Sequence, residues 1–142
     1  MNAFVEKLVE EYAKSREKYC FFDVNCWWDY TDEKTFHNID SFDQLKEELN
    51  SYSIKKAVVT SVECLKHDPL KANDKLSKLI ENKKDVYGCM VLVPELSMSD
   101  KMICDYVDEK IQQGFVCARM FPKKLRHSMK KWCVGKILDY LE

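Results

Sequence analysis

The sequence predicts an α/β protein built on a parallel sheet, and three observations carry that expectation. Four apolar runs of strand length begin at Cys20, Ala57, Val86 and Phe115. They run nearly unbroken, as strands covered on both faces do, where half-solvated strands would alternate. Between them lie stretches of helical periodicity with capping residues at their starts. Strands alternating with crossover helices of about ten or more residues give a parallel sheet with right-handed connections.

Residues Asn2 to about Arg16 form the first predicted helix, with Phe4, Val5, Leu8, Val9 and Tyr12 on one face and Glu and Lys opposite. The first strand follows in Tyr19 to Trp28. Strict alternation places Asp23, Asn25 and Trp27 on one side and Val24 and Cys26 on the other. A buried strand carrying Asp and Asn needs polar partners there. It is either a hydrogen-bonded strand end or the lip of a binding site. The connection Asp29 to Asp40 holds Thr31, Asp32, Glu33, Lys34 and His37, and is long for a strand-to-helix loop.

Ser41 and Gln44 then form a capping box ahead of a helix through Leu45 and Leu49. Ala57 to Ser61 is the second strand. Asp68 as N-cap and Pro69 at the first helical position open a helix burying Ala72, Leu76, Leu79 and Ile80. Val86 to Val93 is the third strand, stopped by Pro94. Ser97 or Ser99 caps a helix with Ile103, Val107 and Ile111 inward, closed by Gly114. Phe115 to Phe121 is the fourth strand, ended by Pro122. Ser128 caps a last helix carrying Trp132, Ile137, Leu138 and Leu141.

Composition narrows the function classes. With 142 residues, 46% hydrophobic and 33% charged, the chain reads as one globular domain: an N-terminal helix to residue 18, then four strand–helix units over 19–142. A net charge of −1 argues against nucleic acid or an anionic membrane held by bulk electrostatics. The apolar runs fall far short of the roughly 20 residues that span a bilayer. The N-terminus lacks the basic head and apolar run of a signal peptide. None of the seven cysteines forms a Cys-x-x-Cys pair, so they read as reduced, buried small hydrophobes of a cytoplasmic protein. No Gly-rich phosphate loop, nucleotide fingerprint or nucleophile elbow is present, which argues against kinases, dehydrogenases and serine hydrolases.

Taken in order, four segments resemble the first half of the amidohydrolase-type (β/α)8 barrels, a family of metal-dependent hydrolases and decarboxylases. They are Phe22-Asp23-Val24-Asn25-Cys26-Trp27, Ile54 to Ser61 with Asp68-Pro69 and Asn73, Tyr87 to Pro94, and Gly114 to Pro122. The resemblance covers roughly Cys20 to Glu142 and implies half of a TIM barrel. The alternative is an open flavodoxin-like sheet. The family's strand 1 reads Asp-x-His-x-His, its histidines holding a divalent metal, whereas Asn25 and Trp27 stand in those positions here. Asparagine is a poor ligand for zinc-type ions and indole is none, so no cofactor is expected from strand 1. Barrels of this type need about 250 residues to close. Half a barrel leaves unpaired edges and open core, which predicts a homodimer or a missing C-terminal half.

In such a barrel, function sits at the C-terminal strand ends. There the resemblance collects Asn25, Trp27, Ser61, Glu63, Glu95 and Arg119. An arginine in an apolar strand is rarely buried unpaired. Arg119 therefore either clamps a small anionic molecule or pairs with Asp23 or Glu63. Asn25 and Ser61 would be polar contacts, and Trp27 and Trp28 stack on a ligand or simply pack. His37, His67 and His127 fall in loops and read as solvent-exposed. Cys26 and Cys64 lack an adjacent base and read as buried. The run Lys123 to His127 reads as a solvated loop that adds positive potential near the mouth. Two functions follow: hydrolysis or decarboxylation of a small carboxylate-bearing substrate, or a non-catalytic relic used for binding or assembly.

Overall fold

The computed structural model describes residues 2–29, 39, 41–66, 68–94 and 99–142. The elements are α1 (Ala3–Glu17), β1 (Phe21–Trp28), α2 (Phe42–Ser51), β2 (Ile54–Ser61), a 3₁₀ turn (Val62–Leu65), α3 (Pro69–Ile80), β3 (Val86–Val91), α4 (Asp100–Gln112), β4 (Phe115–Arg119) and α5 (Lys131–Leu141). The four strands form one parallel sheet in the order β1-β2-β3-β4. The α/β expectation is met. A flavodoxin-like sheet would set β1 between β2 and β3, so that alternative is overturned.

Local chemistry explains most helix starts. Ser41 Oγ accepts from the Gln44 N–H at 3.2 Å, Asp68 Oδ1 from the N–H groups of Leu70 and Lys71, and Ser99 Oγ from the Met102 N–H. Gly114 ends α4 with φ +96°, a conformation that costs glycine little. The last helix departs from expectation. It begins at Lys131 behind Lys130, and Ser128 spends its hydroxyl on the Lys130 N–H without capping.

Residues from α2, α3, α4 and α5 meet in a single buried cluster. Leu45, Leu49, Leu76, Ile80, Val107 and Ile137 pack there against Ala57, Val59, Val86, Met90 and Phe115. Those helices therefore share one face of the sheet, as consecutive parallel strands with crossovers of one hand require. Gly88 lets the Phe115 ring lie flat on β3: a Cβ at that position would stand 2.5 Å from Phe115 Cδ1. α1 stays outside this core. It buries no residue, and Phe4, Leu8, Val9 and Tyr12 stand open to solvent.

The sheet also curls, its other face concave. Arg119 of β4 bonds to β1, which lies three strands away. A flat sheet would separate those edges by about 14 Å. An arginine side chain reaches roughly 7 Å, so only a concave sheet brings them together. Both edge strands hold an extra residue. β1 bulges between Asp23 and Cys26, and β4 spends Phe115 to Cys117 on the span β3 covers from Gly88 to Cys89. Bulges of this kind bend and twist a strand.

Candidate functional site

The bulge in β1 decides which side chains face the concavity. Asp23 pairs in register with Ala57 and Cys26 with Val59, both on the helix-covered face, while Trp27 pairs with Thr60 on the concave one. One inserted residue thus separates Asp23 from Asn25 and Trp27. The expectation that all three share a side is corrected. Asp23 Oδ1 instead accepts from the Asn25 N–H at 2.8 Å, which stabilises the bulge itself.

Arg119 organises the concave face. One terminal nitrogen donates to Asn25 Oδ1 at 2.7 Å and the other to the Val24 carbonyl at 2.9 Å. Its guanidinium carbon lies 5.7 Å from the centre of the Trp27 ring, which in turn packs against Phe121 at 5.9 Å. Neither Asp23 nor Glu63 is its partner, so the carboxylate pairing expected as one alternative does not occur. Behind it lies the buried Cys89, in register with Cys117 of β4 and with the Arg119 charge close by. Burial pushes the Cys89 thiol up to about 12.

Ser61 and Glu63 lie elsewhere, against the expectation of one shared mouth. Ser61 pairs in register with Trp28, on the helix side, and its hydroxyl is buried without a hydrogen-bond partner among the described residues. Glu63 belongs to a second polar cluster, at the β1 and β2 ends against α3. Lys75 Nζ bonds Asp29 Oδ2 at 2.8 Å and Glu63 Oε1 at 3.0 Å, and stands 5.3 Å from the Trp28 ring centre. The hydrogen bond that Lys75 donates to Asp29 raises the Lys75 pKa, so its ammonium is held charged. Asp29 adopts φ +98°, which is costly for a residue other than glycine. The sequence pointed to Glu63 but not to this cluster. Trp28 is core, and Trp27 alone meets the arginine.

Several further expectations change. His127 has both ring nitrogens buried without partners among the described residues, so it is not a solvated side chain. Cys64 and Cys89 are buried as expected, but Cys20 and Cys117 are exposed. His37, His67, Glu95, Ser97 and the polar segment from Thr31 to Lys34 lie outside the described residues. Among the described residues, no group of three or more His, Cys, Asp or Glu is placed to hold a metal ion, and no helix is long and apolar enough to cross a membrane.

Asn73 is a structural residue that the sequence marked only by position. Pairing of β2 with β3 stops at Val59 and Gly88, yet β3 runs on to Val91. Asn73 on α3 takes over: its Oδ1 accepts from the Val91 N–H and its Nδ2 donates to the Val91 carbonyl, each at 3.0 Å. A fully buried amide thus stands in for the missing strand.

Compared with protein-family models, curated proteins and solved structures, the chain finds no match in any of the three.

Proposed function

We propose that this chain is the N-terminal half of an amidohydrolase-like barrel whose concave face takes a small carboxylate-bearing molecule on Arg119. The observation that carries the reading is the guanidinium itself. It lies across the open face of a curled parallel sheet, stacked on Trp27, and spends two of its five N–H donors on Asn25 and Val24. The remaining donors form the planar fork that suits a carboxylate. Acid and base groups for hydrolysis or decarboxylation come, in this reading, from strands beyond β4 or from a second copy.

A second reading, a non-catalytic binding or assembly module, is favoured by the exposed apolar stripe of α1 and by Phe22 and Val24 on β1, both about half exposed or more.

Thermal denaturation with acetate, succinate and benzoate tests the first reading. A ligand that binds only the folded chain raises its stability by RT ln(1 + [L]/Kd), about 2.7 kcal/mol at a hundredfold excess over Kd. The expected result is a rise in midpoint for wild type that disappears in Arg119→Lys, which keeps the charge and loses the fork. No rise with any carboxylate sinks the anion site. Light scattering then separates the two readings of assembly: a dimer that survives dilution supports completion by a second copy, and a monomer removes it.

A further inference from the structure

Cys89 and Cys117 are register partners on adjacent parallel strands. Neighbouring strands run about 4.8 Å apart, inside the 4.4–6.8 Å Cα separation that a disulfide spans. Register partners also point to the same face. They differ in access: Cys117 is exposed, and Cys89 beside it is fully buried. That is the arrangement of an attacking thiol backed by a resolving one.

We propose that Cys89 and Cys117 are a dithiol modification site, converted by a hydroperoxide into a reversible intrachain disulfide. The Cys117 thiolate attacks the peroxide, forming an S–O bond as the O–O bond breaks and an alcohol or water departs. The Cys89 sulfur then attacks Cys117 Sγ. The S–S bond forms as the S–O bond breaks, and the hydroxide leaves with the Cys89 proton as water. Two thiols are oxidised and one peroxide is reduced. The buried partner is slow to ionise, so the second step waits on a sulfenic acid already formed beside it. Arg119 lies two residues beyond Cys117, so the crosslink fixes β3 to β4 directly beneath the guanidinium. The site stands whether or not Arg119 binds a carboxylate.

The test is oxidation of the folded Cys20→Ser chain with tert-butyl hydroperoxide, followed by peptide mapping without reductant. The Cys20 substitution removes the other exposed thiol. The expected result is a crosslinked peptide pair carrying Cys89 and Cys117 within monomeric chains. Two thiols per chain are lost, and dithiothreitol restores both. With Cys89→Ser added, Cys117 stops at a sulfenic acid that dimedone captures. Overoxidation of Cys117 with Cys89 still free overturns the proposal, as does a crosslink formed only between chains or only after denaturation.

Discussion

Replacing Asn73 by Ala strands the end of β3. The amide makes two 3.0 Å hydrogen bonds to the backbone of Val91, and both residues are fully buried. Without it, the Val91 N–H and C=O lose their partners in a site closed to water. Each such group costs about 1–3 kcal/mol, and the vacated side-chain volume adds to that. The Tyr106 hydroxyl loses the bond it accepts from Asn73 but still reaches the Leu70 carbonyl, at 3.5 Å. A loss of about 4 kcal/mol follows, a large share of the 5–15 kcal/mol that holds a typical domain together. Urea unfolding read by tryptophan fluorescence measures it. Asn73→Leu, which restores volume without polar atoms, is expected to lose nearly as much, because the deficit lies in hydrogen bonds. If Asn73→Ala costs under about 1 kcal/mol at an unchanged m-value, the amide is not the strand's partner and the reasoning fails.

Three other outcomes are expected. Gly88→Ala drives a methyl into the ring of buried Phe115 at 2.5–2.7 Å and should cost about 3 kcal/mol, a loss that Phe115→Leu in the same chain relieves in denaturant titration. Deleting residues 1–17 removes a helix that buries nothing. It should move the unfolding free energy by less than about 0.5 kcal/mol, while any self-association seen by light scattering declines. Burial pushes the thiols of Cys26, Cys64 and Cys89 from 9.0 up to about 12. Their folded pKa lies above the unfolded one, so the stability they contribute is whole below pH 9 and lost as pH climbs toward 12. Urea midpoints measured across that window should fall, and Cys64→Ala should flatten the fall; a flat wild-type profile would contradict it.

What the sequence made legible follows from how local each signal is. The caps at Ser41 and Asp68 and the stop at Gly114 act within a turn of the residue that carries them, so those helix boundaries could be read from spacing, and that of α4 to within the choice of Ser97 or Ser99. The bulge in β1 could not. It appears only when Asp23 and Cys26 are matched against Ala57 and Val59, and it turns Asp23 away from the face expected of it. The same holds for Ser61, whose side follows from its pairing with Trp28. Arg119 was legible as an anomaly in an apolar strand, but its partners on β1 depend on curvature, a property of the whole sheet. The helical period of α1 was correct, while its burial depended on contacts that no period encodes. The Cys89 and Cys117 pairing needed strand register, although each lies inside a predicted strand of neighbouring rank.

The link from Arg119 to Val24 and Asn25 works like the string of a bow. β1 and β4 share no ladder, so at this point one side chain ties the two limbs across the bend. Anything that draws the guanidinium away slackens the string and lets the limbs spring apart. The depth of the hollow is then set in part by a single side chain.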